Sequence, residues 1–253
     1  MKNKLVFLFL IIQISIGEAQ NSDNQSNGIG YLSYGINLFS AQKIVSNYPQ
    51  RNNIRIFSQP AYALSIEFNY WKKIKHYWFY TYGVRLATLP NDRSVDFDAG
   101  VTVNGFPFDD HSRFSVPYIS LKGGIARQFF KNNWLSINQT LGSNFIYLPS
   151  GFYNDAITSL SSGQEVIYYR SKGRFNPNGL PFFSLFSETD FTFKVKQDKY
   201  LKINFLFEVA NKDAVKSNYS FFTKTEELTG TITRRFNQIG VNFSYFSIKS
   251  KKR

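Results

Sequence analysis

The sequence predicts an all-β domain: a single eight-stranded antiparallel up-and-down transmembrane β-barrel, with short turns at one end and four long loops at the other. Three observations predict it. Beyond residue 28 the apolar residues recur with a period of two, not 3.6. The links between the alternating segments are short and long in strict turn, as in a barrel with tight periplasmic turns and large external loops. The face opposite the apolar one is made of Ser, Asn, Thr, Gly and Ala with few Lys or Glu. Small polar side chains suit the cramped interior of an eight-strand barrel, whereas a water-facing surface normally carries many charges.

Composition narrows the chemistry. Aromatic residues make up 18% of the 253 residues against 43% hydrophobic overall, too much apolar side chain for a disordered chain. Cys is absent, which excludes disulfides, thiolate metal centres, iron–sulfur clusters, thiol catalysis and a lipoprotein anchor. The two histidines, His76 and His111, are too few for a multi-histidine metal site. No metal and no cofactor is therefore expected. The formal charge of +13 points to an acidic partner, lipid or nucleic acid, and its placement along the chain chooses between them.

Residues 1–19 read as a cleaved signal peptide. Lys2 and Lys4 precede an apolar stretch from Leu5 to Ile16, and Gly17 and Ala19 occupy the positions that a signal peptidase reads. The stretch is shorter than the ~20 residues of a spanning helix. Residues 20–27 form a short polar leader, residues 28–248 the barrel and residues 249–253 a basic periplasmic tail.

The segments follow in order. In the first, Leu32, Tyr34, Ile36 and Leu38 share one face. In the second they are Tyr62, Leu64, Ile66, Phe68 and Tyr70, and in the third Trp78, Tyr80, Tyr82, Val84 and Leu86. The fourth sets Ile119, Leu121 and Ile125 against Tyr118, Ser120, Lys122, Gly124 and Ala126, and the fifth uses Leu135, Ile137, Leu141, Phe145 and Tyr147. The sixth is less regular. Ser187 and Thr189 fall on the face of Phe183, Leu185, Phe191, Phe193 and Val195, which calls for a bulge or a covering partner. Leu201 to Val209 and Ile239 to Tyr245 supply the seventh and eighth.

Short turns are expected around Lys72–Lys75, Lys131–Asn133 and Lys196–Lys199, and long loops over Ser40–Gln59, Pro90–Ser112, Pro149–Gly179 and Asn211–Gly230. Tyr70, Trp71, Tyr77 and Trp78 beside one turn, and Phe129, Phe130 and Trp134 beside another, read as an interfacial girdle. Lysines gather at the short-turn end, from Lys72 and Lys73 to Lys251 and Lys252, where they would meet anionic headgroups. They are spread over separate turns with no stacking groove, so lipid is the expected partner and nucleic acid is not.

With these features the chain resembles the small outer-membrane β-barrels of Gram-negative bacteria, of the OmpA transmembrane-domain and OmpX type, and the generic barrel domains of Bacteroidota. The final segment carries the sharpest likeness. Gln238, Gly240, Phe243 and Tyr245 resemble the β-signal that the barrel-assembly machinery recognises in that family. The basic tail departs from the family's terminal aromatic. The resemblance implies a location in the outer membrane and a lumen plugged by charge.

Seven ionisable residues fall on the inward parity: Glu67, Arg85, Lys122, Glu188, Asp190, Lys202 and Glu208. Charges at that depth must pair, so they read as a salt-bridge plug. His111, in Asp109-Asp110-His111-Ser112, is the one external histidine. Neighbours on an extended chain point to opposite faces, so the run is not itself a catalytic dyad. Asp92, Asp96, Asp98, Asp109 and Asp110 share a loop without EF-hand spacing. No catalytic residue is expected. The reading is a non-enzymatic outer-membrane barrel with a structural or surface-interaction role, its external loops meeting an unidentified ligand or protein partner. The alternatives are a lipid-modifying enzyme, a narrow gated pore and a soluble lipocalin-like barrel.

Overall fold

A computed structural model describes residues 30–41, 45–47, 54–57, 61–75, 77–97, 108–161, 164–196, 199–210, 212–224 and 226–247. The segments expected to be a signal peptide, a polar leader and a basic tail lie outside the described residues. Among the described residues there are fourteen strands: β1 (Gly30–Ala41), β2 (Val45–Asn47), β3 (Ile54–Phe57), β4 (Ala61–Lys75), β5 (Trp78–Phe97), β6 (Phe108–Lys131) and β7 (Leu135–Tyr147), followed by β8 (Gly151–Ser161), β9 (Gln164–Phe175), β10 (Phe182–Lys196), β11 (Lys199–Val209), β12 (Asp213–Phe222), β13 (Glu227–Arg235) and β14 (Gln238–Ser247).

Eight of them close a barrel in the order β1-β4-β5-β6-β7-β10-β11-β14, with β14 pairing back onto β1. Every neighbouring pair is antiparallel. Closure leaves no sheet edge in the wall, which hydrocarbon requires because it offers no substitute for a missing hydrogen bond.

Alternation decides which side faces lipid. Leu32, Ile36, Leu64, Ile66, Leu141, Phe183, Phe205 and Phe243 are exposed on the outer wall, while Ser33, Asn37, Ser65, Asn144, Asn204 and Asn242 are buried inside. This arrangement is inverted relative to a water-soluble barrel, whose apolar face points inward. The chain is a transmembrane β-barrel of the outer-membrane type.

The periplasmic turns are short, and register shifts precede three of them, at Lys73/Lys75, Gln128/Phe130 and Lys194/Lys196. Such bulges let a strand bend at a barrel rim. In the β6–β7 turn the Asn132 side-chain oxygen accepts from the backbone N–H groups of Trp134 (2.9 Å) and Leu135 (2.7 Å), satisfying donors the ladder has left.

β10 holds register with β7 from Phe182 to Phe193, so no bulge lies at Ser187 and Thr189. Their hydroxyls instead meet the amide of Gln139 on the same outer face. Gln139 donates to Ser187 Oγ (2.8 Å), and Thr189 Oγ1 donates to Gln139 Oε1 (2.7 Å). Three polar groups on the lipid side thus satisfy one another.

The regions read as loops carry further strands. A second sheet has the order β2-β13-β12-β9-β8. Along the chain these strands continue β1, β14, β11, β10 and β7, so the external sheet repeats the order of the barrel wall beneath it. β5 and β6 also run on together, paired from Trp78↔Arg127 up to Phe97↔Phe108, with β3 added at the upper end of β5.

Asn176 pins the joint between wall and external sheet. It is buried at φ 45°, a left-handed conformation that Asn tolerates better than most residues. Its side-chain N–H group donates to the Leu148 carbonyl (2.6 Å), and its backbone N–H donates to the Ala214 carbonyl (2.8 Å).

Candidate functional site: the barrel lumen

The lumen is filled in three layers. The floor, at the short-turn end, is aromatic: Tyr31 stacks on Phe246 (ring centroids 4.3 Å apart) and on Trp71 (5.9 Å), and Tyr200 stacks on Phe246 (5.1 Å). Trp71, expected in the interfacial girdle, is therefore an inward residue, 1% exposed. Tyr70 is buried as well, whereas Tyr77, Trp78, Phe129, Phe130 and Trp134 are exposed on the outside. Tyr70 has the outer parity and is covered there by packing over Gly30 and against Tyr82 (5.0 Å), so strand parity turns the next side chain, the Trp71 indole, inward. Lys202 Nζ sits 3.9 Å from the centre of the Trp71 ring and 3.3 Å from Asp190 Oδ1.

The middle layer is ionic. β4 and β5 set Glu67 and Arg85 side by side in register, and Arg85 Nε lies 3.3 Å from Glu67 Oε2. Arg85 Nη1 reaches Glu208 Oε2 at 2.7 Å, and its Nη2 stands 4.0 Å from Glu188 Oε1. Lys122 joins the two remaining carboxylates, 2.7 Å from Glu67 Oε1 and 2.5 Å from Glu188 Oε1. The structure thus brings Glu67, Arg85, Lys122, Glu188 and Glu208 into one cluster and leaves Asp190 with Lys202 as a separate pair below it. All seven are buried.

Neutral side chains complete the coordination. Asn37 and Asn69 each donate to Glu67 at 2.7 Å, Asn144 donates to Glu208 at 2.7 Å, and the Ser184 hydroxyl also donates to Glu208. Sequence reasoning missed these four. They share the inward parity, but uncharged side chains give no signal apart from the other polar residues of that face. A buried carboxylate needs several donors, so inward Asn residues near an inward Glu are the available clue.

Space for these large groups comes from small neighbours. Gly124 and Gly142 are paired in register, and Gly142 faces Phe186 on β10. A Cβ on Gly142 would stand 2.6 Å from the Phe186 ring and one on Gly124 3.2 Å from it. Only glycine lets that ring lie across the wall.

The outer mouth is apolar. Phe236 packs edge-on against Tyr118 (5.2 Å) and Phe182 (5.3 Å), within a buried cluster that includes Leu89, Val116, Ile146 and Leu148. The Tyr118 hydroxyl donates to Gln238 Oε1 at 3.1 Å. Gln238 and Gly240 point inward, while Phe243 is exposed toward lipid and Tyr245 stands 5.9 Å from Tyr34 on the same outer face. Arg234 on β13 donates to the carbonyl of Pro90 on β5, tying the external sheet to the opposite hairpin.

His111 lies on β6 opposite Ser94 on β5. Asp92 and Asp96 lie on β5, and Asp109 and Asp110 on β6. The side chains of all of these, and Asp98 entirely, lie outside the described residues.

No family model matches the chain, and no curated protein matches it in sequence. Among solved structures it is similar to the outer membrane protein OprG from Pseudomonas aeruginosa, at 11% identity and a TM-score of 0.43 over 89% of this chain and 98% of that one. It is also similar to the outer membrane protein AlkL in DMPC lipid bilayers, at 8% identity and a TM-score of 0.38 over 92% and 97%. A third is the outer membrane protease OmpT from Escherichia coli, at 9% identity and a TM-score of 0.36 over 88% and 97%.

Proposed function

We propose that this outer-membrane barrel is a non-conducting, non-enzymatic anchor that carries a β-walled external platform for surface interaction. One observation carries the reading: the bore is crossed by ion pairs from wall to wall, so the barrel's mass is spent on rigidity rather than on a passage. Charged groups in a conduit or an active site need access to water or substrate, and these lie between an aromatic floor and an apolar lid. Arg85 Nη1 is engaged by Glu208, and Lys122 Nζ by Glu67 and Glu188.

Its partners on this reading are the outer-membrane lipids, the barrel-assembly machinery during biogenesis, which would read Gln238, Gly240, Phe243 and Tyr245 on β14, and a ligand or protein held by the external sheet. Nucleic acid is not among them. Planar-bilayer recording on the folded protein tests closure: the expected result is no stepwise conductance, and steady channel openings would overturn it. Mass spectrometry of lipids from cells with and without the chain tests the rest. An unchanged profile is expected, and a new or lost acyl or phosphate group would make the protein an enzyme.

A further inference from the structure

The joint between barrel and external sheet holds a pocket of about 380 Å³ lined by Lys212, Asp213, Lys216, Arg235, Pro177 and Asn178. That lies in the range of roughly 300–1,000 Å³ for small-molecule sites. Three of its six lining residues are cationic and one is acidic.

Its position is informative. Lys212 follows the lipid-facing Val209 by three residues, and Arg235 precedes the lipid-facing Ile239 by four. The pocket therefore lies beyond the last lipid-facing side chains of β11 and β14. Leu180, just before β10, and Phe183 on it, both about two-thirds exposed, mark the same upper limit. The exposed apolar band thus ends beside the pocket, and the border of such a band is where acyl chains give way to headgroups.

The positive charge continues upward. Lys216 is paired in register with Arg174, whose guanidinium lies 4.3 Å from the centre of the exposed Phe152 ring. Lys172 and Arg170 follow on the same exposed face of β9; Asn218 and Asn154 flank Lys172 in register, and Ser220 and Ala156 flank Arg170. Cations spaced about 7 Å apart along a strand, with two amides beside the middle one, suit a saccharide that carries anionic groups.

We propose that this pocket binds the phosphorylated saccharide headgroup of an outer-leaflet glycolipid. Lys212, Lys216 and Arg235 take the phosphate, and Asp213 accepts from a sugar hydroxyl or amide, which a bare phosphate lacks. The β9 cations meet the more distal sugars. The inference rests on the outer-membrane reading and deepens its surface-interaction part, since it fixes the platform to the leaflet from which it rises.

Native mass spectrometry of the folded mature protein, released from detergent micelles, tests it with a bisphosphorylated glucosamine disaccharide lipid as probe. The expected result is a retained adduct that a Lys212→Gln, Lys216→Gln, Arg235→Gln variant binds at least ten-fold more weakly. A Lys131→Gln, Lys196→Gln, Lys199→Gln variant, altered at the opposite rim, should bind as the parent does. Equal binding of the dephosphorylated lipid, or of phosphatidylglycerol, would overturn the proposal, as would equal loss in the opposite-rim variant. Displacement of the adduct by millimolar inorganic phosphate alone would reduce the site to an anion site and overturn the saccharide assignment. Failure of the outer-membrane reading looks different: the parent would not yield a micelle-borne, heat-modifiable folded band at all.

Discussion

Arg85 on β5 and Glu208 on β11 lie on diametrically opposite walls of the barrel, and their side chains meet at 2.7 Å. Going round the ring, three strands lie between β5 and β11 in either direction. Tyr118 on β6 and Gln238 on β14 stand in the same relation one layer higher. Two side-chain bridges therefore cross the full bore. Glu67, Glu188 and Lys122 fill the arcs between them, so each charge has a partner inside a space that water would otherwise have to enter.

Removing one end of a buried bridge leaves the other end as an unpaired charge, which costs about 3–5 kcal/mol. Arg85→Met should lower the unfolding free energy in micelles by that order, as urea titration would measure. Arg85→Met combined with Glu208→Met should cost less than the sum of the two single changes, because the pair is one unit. Strict additivity would mean that the bridge is not formed.

Phe236→Ala should destabilise the outer mouth by about 3–5 kcal/mol, the usual loss for a buried phenylalanine. It should still not conduct in planar bilayers, because the Arg85–Glu208 bridge lies below it. Conductance from this single change would place the only seal at the lid.

On the lipid face, Gln139→Leu should strand the hydroxyls of Ser187 and Thr189 and cost about 1–3 kcal/mol. Replacing all three by Leu, Val and Val should be neutral or stabilising, since both partners of each bond then leave together. Unfolding titrations of the single and triple variants compare the two directly.

Asn176→Gly keeps the left-handed backbone but removes the bond to the Leu148 carbonyl, so a loss of about 1 kcal/mol is expected. Asn176→Ala adds backbone strain and should lose more. In both variants limited proteolysis should cut the external sheet sooner while the barrel core survives, since local stability differs between the two regions.

Much of this architecture is legible in the sequence because lipid imposes a strict rule on alternate residues. Leu64, Ile66 and Phe68 against Ser65, Glu67 and Asn69 divide the strand into two faces, the small polar composition of the second face marks it as the inside, and the seven inward charges follow from the same parity. The external sheet is not legible in that way. On β9, Arg170, Lys172 and Arg174 alternate with Tyr169, Ser171, Gly173 and Phe175, a pattern without an aliphatic face, so it reads as a loop. Pro90 reads as the start of a long loop, yet β5 runs on to Phe97 with Pro90 paired to Ser115. Proline lacks the N–H donor of the ladder but keeps its carbonyl, and that carbonyl accepts from Arg234. The meeting of Arg85 with Glu208 depends on barrel closure, which no local pattern encodes.

The central claim is that the apolar face of each strand meets lipid and the polar face meets a filled lumen. The natural chain has no cysteine, so single cysteines report their own surroundings. Placed in turn at Asn204, Phe205, Leu206 and Phe207 of β11, they should alternate: 205 and 207 quenched by brominated lipid tails, 204 and 206 unreactive toward a water-soluble maleimide in the folded protein. Rapid maleimide labelling at 204 and 206, or lipid quenching at those positions in place of 205 and 207, would contradict the account.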